Sequence, residues 1–420
     1  MPKVSGCAAL VGGRSTQRAG QRGQAVGAHT RSSYSLRASR RPRLRVGATH
    51  SSTLTNVDLN FLAALSSVRP FEHRWLGAGF TRESREQAEH DDTKKQHYVP
   101  AFYLQRWAVD GKVQPFQVDS RTAHPPQLVR DVGKAKNIYT LPEYGATMDL
   151  PLRWVEKHLS RIEGLCSQHL DALVELDSGL VTDDALRQDM SVFLGLQITR
   201  TPSQRERHLA LINGPAAAKR EYLKRTSPGA NATEVAQRMR PRFTDPKHEA
   251  IHLMIEDVRY PVGPLLHRRK WAVYRTNSPL VTCDDPVLFL AGPPFERSVS
   301  LAGSSAVVLY PLDPSHLLVM LRWDMQHRGP LVLDVAETAA VNLEIVAAAT
   351  RTSFERPGDD IASECSVPIR VPIPELDDET AQSLETEAAL QYLFGRARRV
   401  SRWADSTASP DWPVPRWYSS

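Results

Sequence analysis

His248-Glu249-Ala250-Ile251-His252 places two imidazoles four residues apart, with Glu256 one further turn along. On a helix such residues share a face and form a zinc-ligand set, with Glu249 set to polarise a bound water, which is hydrolase chemistry. The context weighs against it. Thr244-Asp245-Pro246 puts His248 in the first turn with no apolar residues ahead to bury it, and no Gly-x-x-His follows. A second set is scattered along the chain: His97, Gln197, Arg200, Asp284 and Asn342. If these converge, Gln197, Arg200 and Asn342 are the ligand-binding groups, with Arg200 holding an anion. His97 and Asp284 are then the catalytic groups that handle a proton.

Each of these polar groups stands where burial is expected. Gln197 falls inside the helical stripe of Met190, Phe193 and Leu194, where an unpartnered amide costs roughly 1–3 kcal/mol. It is either networked or in contact with a ligand. Arg200, one turn on near the helix end, has the alternative of offsetting the helix dipole and pairing a carboxylate. Asn342 lies beside Ile345 and Val346 on one helix face. Asp284, in Thr282-Cys283-Asp284-Asp285-Pro286, follows a strand at a sharp turn, where a carboxylate also caps backbone N–H groups. His97 opens the folded region and is equally suited to pinning that segment. Glu156 and Glu163 share a helix side and are either a cation pair or ion-pair partners. Cys283 has no visible activating base and is expected to be a buried inert thiol.

The elements that must position these residues follow from periodicity. Lys112 to Asp119 alternates as a strand after an Asp110-Gly111 turn, and Asn137-Ile138-Tyr139 begins another extended piece. Asp149 and Pro151 start a helix with Leu152, Val155, Leu159, Ile162, Cys166, Leu170 and Leu173 on its buried side. Thr182-Asp183-Asp184 starts the next, disturbed or ended at Thr201-Pro202. Helical pieces continue through Tyr222 and Val235 to Leu266. From Lys270 the runs Trp271–Tyr274, Leu280–Thr282, Ala306–Tyr310 and His316–Leu321 read as a sheet. Helices follow at Val335–Thr350 and Asp378–Arg398. A helix-rich centre packed with a mainly antiparallel sheet from the C-terminal half is an α+β fold.

The net charge of +6 misleads. Residues 1–50 hold no Asp or Glu but carry Lys3 and nine arginines, so the rest of the chain is at −4 and nothing in the folded part suggests nucleic acid. That head lacks an apolar period and is expected to be disordered, as a leader, a transit segment or a basic arm. Four scattered cysteines, Cys7, Cys166, Cys283 and Cys365, point to a reducing cytoplasm, and no apolar stretch suggests a membrane span. Nucleotide-binding loops of the Walker or Gly-x-Gly-x-x-Gly kind and the Gly-x-Ser-x-Gly elbow are absent.

Several stretches together resemble one bacterial family of uncharacterised proteins, domain of unknown function 4238. They are Gln96-His97-Tyr98-Val99-Pro100 with Phe102-Tyr103-Leu104; Trp154 through Glu163; Gln197-Ile198-Thr199-Arg200-Thr201-Pro202; Val281 through Val287; Tyr310-Pro311-Leu312-Asp313-Pro314; and Asn342. In that family the fourth stretch more often looks like Thr-Ser-Asp-Asn-Pro-Val, so Cys283 and Asp285 depart from it. The resemblance implies a shared fold and no established activity.

The expected organisation is a basic head and linker over 1–94, with Arg82 to Lys95 as the charged linker, and one α+β domain over 95–355. A linker and packing helix over 356–398 and a Trp/Pro-rich tail over 399–420, either disordered with docking on its own domain or offered to a partner, complete it. Whether the protein is an enzyme stays open at this level. Three readings stand: a small-ligand-binding or hydrolytic site built from His97, Gln197, Arg200, Asp284 and Asn342; a zinc-dependent hydrolase through His248, His252 and Glu256; or a non-enzymatic interaction module. Substrate, partners and any cofactor other than zinc are not legible.

Overall fold

The computed structural model describes residues 69–89, 94–141, 151–214, 240–291, 305–370, 377–385 and 410–417, with isolated positions elsewhere after 219. Its centre is a sheet that carries apolar side chains on both faces. Lys270–Thr276 (β4), Leu288–Ala291 (β6), Ser305–Asp313 (β7), His316–Leu321 (β8) and Val332–Leu333 (β9) lie in the order β9-β4-β8-β7-β6, and Gly179–Leu180 also pairs with β4. All pairings are antiparallel except β9 with β4. Side chains alternate across a strand, and here the alternation sorts them into two cores. Trp271, Val273, Val308, Tyr310, Leu318 and Met320 enter one, while Ala272, Tyr274, Val307, Leu309, Leu317 and Val319 enter the other.

The first core is roofed by helices. Trp154–Glu175 (α2) lays down Val155, Leu159, Ile162, Cys166, Leu170 and Leu173, the stripe expected from the sequence. The helix begins at Trp154. Asp184–Thr199 (α3) is capped by the Asp183 carboxylate and stops before Thr201, which caps Pro202–Asn213 (α4) in turn. Thr201-Pro202 therefore divides two helices. Pro246–Asp257 (α5) packs against α3 and α4. A Cβ at Gly195 would meet Val258 at 3.0 Å, so glycine sets how closely α3 approaches the chain beyond α5.

The second core is closed by Val335–Ala348 (α6), which starts with a reciprocal Asp334/Glu337 capping box, and by the C-terminal residues. Lys112–Gln117 (β2), Thr282–Cys283 (β5) and Thr352–Glu355 (β10) form a further sheet in the order β2-β10-β5. Lys95–His97 (β1) pairs with Lys134–Lys136 (β3). The extended piece expected from Asn137 is instead a turn, because Asn137 has φ +53° and ends the strand.

The fold is α+β, as expected. The linker reading of Arg82 to Lys95 is corrected: Ala78–Glu86 is a helix (α1) packed on α2. Its charges are interface partners. Arg161 donates to Glu83 (2.6 Å), to the Ser84 hydroxyl (2.8 Å) and to the Phe80 carbonyl (2.9 Å). Ahead of it, Asp189 accepts from His73 (2.7 Å), Arg74 (2.9 Å) and His169 (2.8 Å). The expected disordered head through residue 68, with its Leu54–Val68 pattern, lies outside the described residues. So do Tyr222, Val235 and most of the expected Asp378–Arg398 helix, of which Asp378–Ser383 is described. Among the described residues no helix is long and apolar enough to cross a membrane.

The C-terminal end is built into the second core. Val414 and Trp417 are buried there, and Trp417 meets Tyr274 edge-on at 5.6 Å. Arg416 donates to the Val332 carbonyl and pairs with Glu337. Trp417→Ala is expected to cost about 3–5 kcal/mol, read from the midpoint of urea unfolding.

Glu355 is 1% exposed and takes the backbone N–H of Ala362 (2.9 Å). Burial, with Asp360 and Asp359 nearby, pushes its carboxyl up to about 7. A carboxyl raised in the folded state stabilises fully below its unfolded value and loses that contribution as pH rises through the folded one. Unfolding free energy should thus fall between about pH 4.5 and 7, and Glu355→Gln should flatten that slope in a pH series of chemical denaturation.

Candidate functional site

Arg200, 2% exposed, sits at the end of α3 and is the centre of a buried polar network. Its guanidinium donates to Glu163 of α2 (2.5 Å) and to the Gln197 side-chain oxygen (2.6 and 3.2 Å). Gln197 in turn donates to the Tyr98 carbonyl (2.9 Å), and Tyr139 donates its hydroxyl to the Arg200 carbonyl (2.9 Å). Gln96 accepts the Tyr139 N–H (2.7 Å). Burial opposes the charge, but Glu163, Tyr139 and Glu156 together hold Arg200 above its ordinary pKa. Every hydrogen-bonding group of this arginine that the network shows is aimed at protein.

His97 is half-buried in β1. Burial, then Lys134 and Arg200, lower its pKa. Asp284 is 4% exposed, and its carboxylate takes the backbone N–H groups of Thr350 (2.7 Å), Arg351 (2.8 Å) and Thr352 (3.1 Å). It therefore caps the end of α6 and joins it to β10. Asn342 bridges the chain ahead of β5, accepting from Val281 N (3.0 Å) and donating to the Pro279 carbonyl (2.9 Å). Of the five residues expected to converge, Gln197 and Arg200 touch each other, and His97 feels Arg200 electrostatically. Asp284 and Asn342 serve separate backbone segments.

A small cavity of about 40 Å³ opens beside these motifs. Asp285, Glu344, Arg207, Arg370 and Ser401 stand around it with the apolar run Val287–Leu290. Three of them stand near residues singled out from the sequence: Asp285 follows Asp284, Glu344 is two past Asn342 on α6, and Arg207 is in the helix that follows Arg200. Ser203, in the first turn of α4, donates to Asp285 (3.3 Å). Arg207 is 7% exposed and donates to Gln204 (3.2 Å). Among the described residues no carboxylate pairs with it. Burial, then Arg370, pushes its pKa down to about 10. Arg207, Glu344 and Arg370 carried no sequence signal beyond their charge; for Arg207 and Glu344 the available clue was their nearness to motif residues.

The zinc set does not assemble. Among the described residues no three His, Cys, Asp or Glu side chains are placed to hold a metal. Glu249 spends its carboxylate on the N–H groups of Arg242 (3.0 Å) and Phe243 (2.9 Å), and Glu256 faces Arg259 (3.6 Å). His248 instead stacks on Phe243 at 3.6 Å, and His252 meets the same ring edge-on at 5.5 Å.

The family model described as "Protein of unknown function (DUF4238)" matches residues 95–359. The chain belongs to that family. No curated protein and no solved structure matches it. The DUF4238 span contains the Arg200 network and, from the cavity, Arg207, Asp285 and Glu344. Arg370 and Ser401, on the same cavity, lie beyond it. The segment with α1 lies before it.

Cys283 and Asp285 are the two residues of the Val281–Val287 stretch that the sequence set apart. Cys283 is a buried thiol in β5, and Asp285 borders the cavity.

Removing one member of a buried ion pair strands the other, at about 3–5 kcal/mol. Arg200→Gln is expected to lower unfolding free energy by that amount, with Glu163→Gln nearly as costly and the double variant much less than additive. A double-mutant cycle in urea checks it.

Proposed function

We propose that this DUF4238 protein binds a small ligand through an anionic group seated against Arg207. The observation that carries the reading is the Arg207 guanidinium, buried at 7% exposure and without a carboxylate partner among the described residues. Burying an unpaired charge costs several kcal/mol, so a site that keeps one is built for a counter-charge that arrives from outside. Arg370, Asp285 and Glu344 stand on the same cavity and would face the rest of the ligand. The cavity holds roughly three waters at about 10–15 Å³ each. It admits the anionic end of a ligand and leaves the rest at the mouth.

In this reading His97, Gln197, Arg200, Asp284 and Asn342 are positioning residues: they fix α3, α4, β5 and α6, whose next residues line the cavity. A cytoplasmic location fits the cysteines, since Cys166, Cys283 and Cys365 are buried thiols.

The test is thermal unfolding and calorimetric titration with sodium phosphate, sulfate and acetate at constant ionic strength. An oxyanion should raise the melting temperature of the wild type. Arg207→Gln should abolish that rise while leaving ligand-free stability within about 1 kcal/mol, or improving it, because an uncompensated buried charge is removed. An unchanged titration in Arg207→Gln, or a ligand-free loss of about 3–5 kcal/mol as for a paired arginine, contradicts the proposal.

A further inference from the structure

A second cavity, of about 750 Å³, lies between the segment carrying α1, the start of α2 and α5. Its size is that of a small-molecule site, for which roughly 300–1,000 Å³ is usual. One wall holds Arg85, whose guanidinium lies over the Trp154 ring at 4.8 Å. Among the described residues Arg85 has no carboxylate partner, and its Nε is buried without a hydrogen bond. The facing wall holds Phe243, stacked with His248 and flanked by His252. His252 has no hydrogen-bond partner among the described residues, and Arg242 adds a second guanidinium to the lining. Of the acidic residues lining the cavity, Glu256 is engaged with Arg259 and Glu72 is exposed.

We propose that this cavity binds a flat aromatic ring bearing an anionic group, the ring lying along Trp154 and Phe243 and the anion meeting Arg85. Aromatic faces reward a planar ring by offset or edge contact. A guanidinium already ordered by its cation–π contact meets a carboxylate or phosphate bidentately with little further loss of freedom. The histidines that looked like zinc ligands are, in this assignment, part of the ring-binding wall. The site depends on Arg85, which precedes the family span of 95–359, and on α5, which lies within it.

The experiment is calorimetric titration of the full chain with adenosine 5′-monophosphate and 2-naphthoate. Adenosine, 2-naphthamide and inorganic phosphate are the controls. At least one aromatic acid should bind about tenfold tighter than its neutral counterpart and than phosphate, a difference of about 1.4 kcal/mol. Which acid wins separates a phosphate from a carboxylate. Arg85→Gln on one wall and His252→Ala on the other should each weaken that binding about tenfold while unfolding cooperatively. The proposal is overturned if neither acid binds, if the neutral forms or phosphate bind as well, or if both variants bind like wild type.

Discussion

The fold depends on one buried charge pair. Arg200 and Glu163 meet at 2.5 Å between α3 and α2, and Gln197 extends the contact to the Tyr98 carbonyl at the entry of the family span. Such a pair gives little net stability against an apolar replacement, because two charges must be dehydrated. Its value here is geometric. The guanidinium takes its acceptors in a fixed fork, so α2, α3 and the 96–98 segment have one mutual arrangement. Tyr139 and Gln96 complete that arrangement. The start of α4 follows within two residues of Arg200, and with it the line of Ser203 and Arg207.

Around that pair the sheet separates two apolar cores, and each core is closed by chain outside the family span. On one side Asp189 gathers His73, Arg74 and His169 and holds the segment that leads into α1. On the other, Val414 and Trp417 fill the second core while Arg402 pairs with Asp119 and donates to the Ala349 carbonyl. The two cavities sit where these segments meet the DUF4238 elements. Both cavities are thus lined by residues inside the family span together with residues outside it.

Much of the fold was legible because its signals are periodic and local. The α2 stripe, the Asp183 cap on α3 and the runs that became β4, β7 and β8 stand in the sequence as apolar spacing and capping chemistry. Burial of Gln197 and Asn342 was legible for the same reason, since an amide inside an apolar stripe has to be satisfied. The partner of each was not, because Tyr98 and Val281 come from distant segments. α1 was missed since its charged residues resemble a solvated linker until Arg161, 77 residues from Ser84, supplies the other half of the contact. Arg207 was missed for a converse reason. A charge on a helix signals nothing until the tertiary structure buries it without a counter-charge, whereas His248 and His252 signalled strongly by a spacing that Glu249 and Glu256 do not support in space.

The claim that Arg200 is scaffold and Arg207 is receptor is tested most directly by the side-chain Nε–H resonances of the two arginines, followed by NMR during titration with phosphate. Arg200→Lys and Arg207→Lys assign the peaks. The account predicts that the Arg207 resonance moves with phosphate and saturates while that of Arg200 stays in place. Movement of Arg200 with Arg207 fixed, or no movement of either, contradicts it.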